Sequence, residues 1–223
     1  MTGIFINGLS GKMGTSLLNR SNLDNNIFIC KDIDDKEVEV VIDFSHPSST
    51  IETLDAIKDT NLSIIIGTTG FDDDQISYIK ESSKYRSILF AYNLSKGISI
   101  LKDSIKGFVE SNSNNLSCRI EETHHTQKID SPSGTAIALK DLVEFSDSKN
   151  LIKEIKIDSK RVGNIFGIHK VIFFSELEKI KFSHEAISRN IYSDGAIYAA
   201  HWIKDQKNGM YSFENFLNSE DLL

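Results

Sequence analysis

The sequence predicts an α/β protein that begins as a doubly wound parallel sheet and continues as a smaller α+β domain. Over residues 1–95, short apolar runs alternate with helical stretches, which is the rhythm of repeated β-α units. A glycine-rich turn after the first run is typical of a ligand-binding sheet of this class. Beyond Ser95 the rhythm gives way to longer runs of alternating polarity, so we place a domain boundary there.

Five strands are expected in the first half, because each is a short apolar run that ends at a turn. The run at residues 38–44 is almost continuously apolar, as expected of a parallel strand that is buried on both faces. Amphipathic stretches between the runs predict helices. The strands are expected at residues 3–7, 27–30, 38–44, 62–66 and 87–91, and the helices from residue 15 and over residues 48–58 and 72–84.

The second half mixes helices with strands of alternating polarity, which favours an antiparallel or mixed sheet. Residues 96–110 form one predicted helix, because Ile98, Leu101 and Ile105 recur along a single stripe. The further strands are expected at residues 116–122, 155–157, 169–174 and 180–184, and the further helices at residues 136–145 and 196–203.

Composition excludes several classes of protein. Of the 223 residues, 39% are hydrophobic and 26% are charged, which is typical of a folded globular chain. No apolar run approaches the ~20 residues of a membrane helix, and the start lacks a signal-peptide pattern, so we expect a cytoplasmic protein with no membrane partner. The net charge of −7 and the lack of a basic block argue against nucleic-acid binding. Cys30 and Cys118 lie far apart, which predicts two reduced thiols.

A glycine-rich turn follows the first predicted strand and opens the first predicted helix. Gly8 permits a tight turn, Gly11 lets the backbone approach a pyrophosphate, and Gly14 lets the helix pack closely on the strand. The N–H groups and the dipole at the start of a helix favour phosphate. The spacing is GxxGxxG rather than GxGxxG, so a glycine turn without a ligand is the alternative; the place in the first β-α unit favours dinucleotide binding.

The residues after the second predicted strand bear on which dinucleotide binds. Asp32 and Asp34 lie where an acidic side chain can hydrogen-bond to the adenosine ribose. Lys12 and Lys31 could instead meet a 2′-phosphate, so the sequence predicts NADH or NADPH without deciding between them. Residues 67–70 and 91–94 also end parallel strands, where backbone groups could hold the nicotinamide or form plain turns.

The densest chemistry lies between residues 121 and 136. His124, His125 and Lys128 fall within five residues and precede a Pro-Ser-Gly-Thr helix start that carries the hydroxyls of Ser133 and Thr135. In an acidic chain, such a local concentration of positive groups suits a small anionic substrate, expected to carry carboxylates. A metal site is the alternative, but adjacent strand residues face opposite sides and no third ligand lies close, so no metal is predicted.

Motifs spread along nearly the whole chain match one known family in order. They are Gly8-x-x-Gly11-x-Met13-Gly14, Val41-Ile42-Asp43-Phe44-Ser45-x-Pro47, Gly67-Thr68-Thr69-Gly70-Phe71, Asn93-x-Ser95-x-Gly97, Glu122-x-His124-His125-x-x-Lys128-x-Asp130-x-Pro132-Ser133-Gly134-Thr135-Ala136, Gly167-x-His169, and His184-x-Ala186-x-Ser188-Arg189 with Gly195-Ala196. In these motifs the chain resembles the dihydrodipicolinate reductases (4-hydroxy-tetrahydrodipicolinate reductases) of the diaminopimelate branch of lysine biosynthesis.

The resemblance implies an N-terminal Rossmann domain of residues 1–95 completed by residues 189–223. It also implies a mixed-sheet domain of residues 96–188 that binds substrate and forms a homotetramer. The expected activity is reduction of dihydrodipicolinate, a cyclic dicarboxylate imine, to tetrahydrodipicolinate by NADH or NADPH. The implied roles are His124 as catalytic acid/base and Lys128 as proton donor; His125, Gly134 and Thr135 as carboxylate ligands; and Gly8, Leu9, Ser10, Gly11, Lys12, Met13, Gly67, Thr68, Thr69, Ala91, Tyr92, Asn93 and Leu94 as cofactor contacts. From their own positions, Ser133 is expected among the carboxylate ligands and Asp32 at the ribose.

Two departures from the family pattern bear on binding. The segment between the second and third strands is shorter than in the family, so the identity of the ribose-binding residue does not carry over from the family pattern. Many members carry Arg directly after the histidine pair, where this chain has Thr126, so we expect weaker substrate binding or a compensating charge. Three other readings are an aspartate dehydrogenase-like imine reductase, a catalytically silent dinucleotide-binding regulator, and an assembly subunit with an empty glycine loop.

Overall fold

The computed structural model describes residues 1–219 and divides into two compact units. The first unit comprises Met1–Leu94 with the described residues from Arg189 onward, and the second comprises Ser95–Ser188. Residues 220–223, which the expected N-terminal domain includes, lie outside the described residues. No helix in the described part of the chain is both long and apolar enough to span a membrane.

Seventeen elements follow one another along the described chain. The strands are β1 Thr2–Asn7, β2 Ile27–Ile29, β3 Val40–Asp43, β4 Ser63–Ile66, β5 Ser87–Phe90, β6 Leu116–His124, β7 Ile152–Arg161, β8 Ile168–Phe174, β9 Lys179–Glu185 and β10 Gly209–Tyr211. The helices are α1 Lys12–Ser21, α2 Pro47–Ala56, α3 Asp73–Ser82, α4 Lys96–Ser111, α5 Gly134–Ser146, α6 Asn190–Ile203 and α7 Phe213–Leu217.

The first unit is a six-stranded parallel sheet with helices on both faces, which confirms the predicted α/β class. Its strand order is β10-β5-β4-β3-β1-β2, so the chain reverses direction across the sheet between β1 and β3. Alternate residues of β3 and β4 feed two separate apolar cores. One core lies under α1, α6 and α7, and the other under α2 and α3, as two-sided burial of a doubly wound sheet requires.

The connection between β2 and β3 contains no helix. Residues 30–39 cross over β1 as a series of turns, in which the Asp35 N–H donates to the Asp32 carbonyl at 3.3 Å. Cys30 is buried and continues the pairing with β1, and Asp32 is exposed two residues later. The compressed segment expected from the sequence is therefore an irregular crossover in place of the usual helix.

The second unit is a four-stranded mixed sheet in the order β7-β6-β8-β9, as predicted. The β6–β7 pair is parallel, whereas β6–β8 and β8–β9 are antiparallel. Helices α4 and α5 share a single apolar core with the central strands, in which Phe173, Ile120 and Leu139 are fully buried. The buried residues of the central strand β6 alternate along it and therefore share the face that this core covers.

Several elements differ in extent from the sequence expectation. Strand β7 runs over ten residues, because its alternating Lys, Glu and Asp side chains stay outside while every second residue is half-buried. Helix α6 begins at Asn190, earlier than expected, and α1 begins directly after Gly11. The short elements β10 and α7 were not predicted, since three or five residues give too little periodicity to detect.

Candidate active site

The glycine turn of the first unit forms a close crossing of β1, α1 and the end of β3. Gly8 has φ +84°, a backbone conformation that favours glycine. A Cβ at Gly8 would lie 2.6 Å from the Phe44 carbonyl oxygen, and a Cβ at Gly14 would lie under 3.0 Å from the Gly8 carbonyl. Gly11 is the N-cap of α1 and donates its N–H to Gly8 at 2.9 Å. The tight turn and the close helix-to-strand packing fit the backbone cradle that a dinucleotide pyrophosphate requires.

A buried carboxylate ties together the strand ends beside this turn. Asp43 is fully buried at the end of β3 and accepts hydrogen bonds from Asn7 Nδ2 (3.1 Å), Ser45 N (2.8 Å) and Thr68 Oγ1 (2.7 Å). These groups belong to the ends of β1, β3 and β4, which meet at the point where the strand order reverses. Sequence reasoning gave Asp43 no role, although an acid at the end of a fully apolar strand was a usable signal.

The other predicted cofactor residues also lie at the carboxyl edge of the parallel sheet. Thr68 is buried in the Asp43 network, and Tyr92 is 41% exposed with its ring edge-to-face on Phe90. The loop that ends at Leu94 is held by α6, because a Cβ at Gly195 would lie under 3.0 Å from the Leu94 carbonyl oxygen. The edge thus gathers the remaining predicted residues: Leu9, Ser10, Lys12, Met13, Asp32, Gly67, Thr69, Ala91 and Asn93.

The central histidine of the second unit has a buried carboxylate as its partner. His124 ends β6, and its Nδ1 is hydrogen-bonded to Glu122 Oε2, two residues earlier on the same face of the strand. Glu122 is fully buried and also accepts from Arg161 Nη1 at 2.9 Å. Burial alone would raise the pKa of Glu122, but hydrogen bonds from His124, Ser159 and Arg161 outweigh it and lower that pKa to about 2. Glu122 is therefore ionised at neutral pH.

The predicted anion site at the start of α5 is joined to the same carboxylate. Ser133 is the N-cap of α5, and its Oγ accepts from Ala136 N at 3.3 Å. Its backbone N–H donates to Glu122 Oε1 at 3.3 Å, so this N–H is already used within the protein. Gly134 and Thr135 follow as the first two helical residues, and both are buried. The structure thus places the predicted substrate-binding turn in contact with Glu122, the carboxylate partner of His124.

The predicted proton donor lies in the loop between β6 and α5. Lys128 Nζ forms an ion pair with Asp130 at 2.7 Å, and the two side chains are only 17% and 20% exposed. The Asp130 carbonyl accepts from Arg161 Nη2, so Arg161 holds this loop as well as Glu122. His125 is half-buried directly after His124. Arg161 of the neighbouring strand β7 therefore contacts both the carboxylate partner of His124 and the loop that carries Lys128.

A second histidine contacts the site from strand β8. His169 is 1% exposed, and its ring meets the His124 ring edge-to-face with centroids 5.0 Å apart. Its Nε2 lies 3.4 Å from Ser133 Oγ. Burial, reinforced by the nearby His124, lowers the pKa of His169 to about 3, so this ring is neutral at neutral pH. Sequence reasoning gave no role to Glu122, Arg161 or His169, because strand pairing brings the last two from distant parts of the chain.

Known proteins match both units. The family models described as Dihydrodipicolinate reductase, N-terminus, and Dihydrodipicolinate reductase, C-terminus, match residues 24–94 and 97–217. The 4-hydroxy-tetrahydrodipicolinate reductase of Clostridium novyi (strain NT) is 32% identical over 99% of this chain and 100% of the relative. The chain belongs to the dihydrodipicolinate reductase family. The namesake of Thermosipho africanus (strain TCF52B) is 35% identical, covering 94% of this chain and 95% of its own.

A solved dihydrodipicolinate reductase shares the fold of this family member. It is the dipicolinate-bound enzyme from Paenisporosarcina sp. TG-14, which is 20% identical with a TM-score of 0.72 and covers 96% of this chain and 99% of its own. The likeness confirms the parallel α/β unit with a separate mixed sheet. The dihydrodipicolinate reductase motifs noted in the sequence fall at the carboxyl edge of the first sheet and around His124 in the second unit.

Proposed function

We propose that this chain is an NAD(P)H-dependent 4-hydroxy-tetrahydrodipicolinate reductase. It reduces dihydrodipicolinate, which forms from the 4-hydroxy precursor by loss of water, to tetrahydrodipicolinate in the diaminopimelate route to lysine. The observation that carries this proposal is the match to curated reductases of that name over nearly the full length of both chains. A rival imine reductase or a silent regulator gives no reason for the His124–Lys128 cluster to be built on a shared buried support.

The first unit is proposed to hold the cofactor. When bound, NADH or NADPH supplies a hydride to the substrate ring. The turn at residues 8–13 faces the pyrophosphate with the start of α1, and the strand ends at residues 67–69 and 91–94 position the nicotinamide. Asp32, exposed after β2, is assigned to the ribose hydroxyls. Fixing Thr68 through Asp43 keeps one of these strand ends rigid.

The second unit is proposed to bind the dicarboxylate and manage its protons. His124 acts as the acid/base and Lys128 as a proton donor when the reduced ring takes up a proton at C3. His125, Ser133, Gly134 and Thr135 bind the carboxylates at the start of α5. Because Ser133 Oγ accepts from Ala136 N, its O–H proton is directed either to His169 or to a carboxylate.

The experiment is coenzyme oxidation followed at 340 nm. The substrate is generated in the cuvette from pyruvate and aspartate semialdehyde by the preceding synthase, and NADH and NADPH are compared. We expect oxidation that depends on the synthase, and the ratio of the two rates gives the coenzyme preference. Binding of coenzyme without synthase-dependent turnover would favour the silent regulator, and turnover with another imine alone would favour the rival reductase.

The proton-transfer roles predict the effect of two substitutions. His124→Gln and Lys128→Ala should each lower kcat by ~10²-fold or more, because a positioned acid contributes about that factor. The matched control is Lys140→Ala, which removes a partly exposed lysine paired with Glu144 on α5. Near-normal kcat in both site variants would contradict the assignment.

The assembly state is a further part of the proposal. We infer a cytoplasmic homotetramer assembled through the second unit, as the family resemblance implies. Light scattering of the purified chain should then give about four times the chain mass of 25.0 kDa. A monomeric mass at micromolar concentration would contradict this inference and would leave the reductase assignment in place.

A further inference from the structure

Three groups from three elements of the second unit converge on one buried carboxylate. Glu122 has no exposed surface, yet it contacts His124 on its own strand, Arg161 on β7 and Ser133 at the start of α5. A buried charge is tolerated when it is paired and fully hydrogen-bonded. Here Arg161 supplies the compensating charge, with its Nη1 at 2.9 Å. The mechanism above uses none of these contacts.

We propose that Glu122 is a positioning residue that holds His124 in the tautomer with its proton on Nδ1, and that Arg161 fixes Glu122 in place. This proposal rests on the proposed function, because His124 needs an orientation only if it exchanges protons with a substrate. It adds to that function the residue that orients the catalytic acid His124.

The direction of the hydrogen bond follows from charge. Because Glu122 is ionised, its carboxylate has no proton to give, and His124 Nδ1 must be the donor. The Nε2 atom is then the nitrogen of His124 that gains and loses the catalytic proton. An acidic partner that fixes one imidazole nitrogen also stabilises the imidazolium that forms at the other, as in known carboxylate–histidine pairs.

Charged and titratable groups from three strands and one loop surround the Glu122–His124 pair. Strand β7 contributes Arg161, the loop after β6 contributes the ion pair of Lys128 with Asp130, and β8 contributes the neutral ring of His169. His184 faces His169 from β9, and burial lowers its pKa as well. The neutral histidines add no positive charge beside His124, so the electrostatic field there comes from the Glu122–Arg161 and Lys128–Asp130 ion pairs.

The same carboxylate links the acid to the substrate turn. The Ser133 N–H and the His124 Nδ1–H bond to the two oxygens of Glu122, so a shift of this side chain displaces both. Arg161 Nη2 also reaches the Asp130 carbonyl and restrains the loop that carries Lys128. A shared, rigid support of this kind is what keeps several functional groups in register.

The first measurement uses the unmodified chain, so it does not depend on whether a variant folds. Nitrogen-15 NMR of labelled histidines at neutral pH reports which ring nitrogen of each histidine carries the proton, and the His124 signals are assigned by their loss in His124→Gln. We expect a protonated Nδ1 on His124. A neutral ring with its proton on Nε2 would overturn the proposal. The tautomer is measured without substrate, so the result is valid even if the chain shows no reductase activity.

The second measurement is a double-mutant cycle on kcat. Glu122→Gln should lower kcat by ~10²-fold, and adding it to His124→Gln should cause little further loss, because a residue that acts through another is not additive with it. Multiplicative losses would overturn the proposal. The control is Glu121→Gln, the half-buried neighbour on the opposite side of β6, which should retain normal kcat and the Nδ1-protonated His124.

Discussion

His124 and His169 touch, but they have different partners. His124 is bonded to the ionised Glu122, and His169 lies between the His124 ring and the Ser133 hydroxyl. The pKa of His169 is lowered to about 3, first by burial and then by its electrostatic interaction with the nearby His124. His169 is thus a neutral, hydrogen-bonding residue that lines the site, and its protonation would place an unfavourable charge in a buried position.

This burial predicts a specific acid sensitivity of folding. His169 in the unfolded chain binds a proton below pH ~6.5, whereas in the folded chain it does so only near pH 3. The unfolded state therefore binds more protons than the folded state within this window. As the pH falls, the free energy of unfolding consequently decreases by at most ~1.4 kcal/mol per pH unit. His169→Gln removes this titrating group, so the free energy of unfolding of the variant should depend less steeply on pH within this window.

The measurement is the free energy of unfolding in urea at pH 7 and at pH 5. We expect a smaller loss between these values in His169→Gln than in the wild type, whatever the difference at pH 7. His46→Gln, at the exposed N-cap of α2, is the control for removing a histidine as such. Parallel losses in the wild type and in His169→Gln would show that His169 does not carry this acid sensitivity.

At the scale of elements, the parallel strands were predicted well because their apolar runs are short and uninterrupted. Alternation along β6 also places Glu122 and His124 on one face, so their contact could have been read from spacing alone. Arg161 could not, because it reaches the site through the parallel register that pairs it with His124. The start of α5 was predicted two residues late, at Ala136 instead of Gly134. The use of the Ser133 N–H by Glu122 could not be predicted, because it depends on the tertiary fold.

Two helical glycines give a matched test of packing between elements. Gly107 in α4 has open space where a Cβ would be added, whereas Gly195 in α6 lies against the Leu94 carbonyl. Alanine favours a helix over glycine by ~1 kcal/mol, so Gly107→Ala should stabilise the chain by about 0.5–1 kcal/mol. Gly195→Ala should destabilise it, because α6 or the loop before Ser95 must shift.

Urea unfolding of both variants gives the two free energies, and coenzyme fluorescence titration gives the binding constant. We expect Gly195→Ala to weaken NADH binding and Gly107→Ala to leave it unchanged. A stabilising Gly195→Ala with normal binding would mean that the close contact does not position residues 91–94.

At the scale of the whole molecule, the two units carry separate ligand sites in this account. A ligand that binds only the folded chain stabilises it by an amount that rises with the logarithm of ligand concentration, reaching about 2.7 kcal/mol at one hundred times Kd. NADH and the substrate-like dicarboxylate dipicolinate should therefore each raise the melting temperature. Gly14→Ala, whose Cβ would meet the Gly8 carbonyl, should remove the shift caused by NADH and keep the shift caused by dipicolinate.

Thermal unfolding with each ligand alone checks this separation. The complementary variant is Thr135→Val, which deletes a buried hydroxyl of the substrate turn and should reduce the dipicolinate shift without changing the NADH shift. Loss of both shifts in Gly14→Ala would indicate that the substitution disturbs more than the cofactor turn.

The defining step of the proposed reaction is hydride transfer from a nicotinamide to the ring of a dicarboxylate imine on this chain. The most direct test is the mass of the product formed with coenzyme that is dideuterated at nicotinamide C4. We expect tetrahydrodipicolinate one mass unit heavier than the product of unlabelled coenzyme, with the deuterium at ring C4. Product without deuterium, or no tetrahydrodipicolinate while coenzyme is bound, would contradict the account.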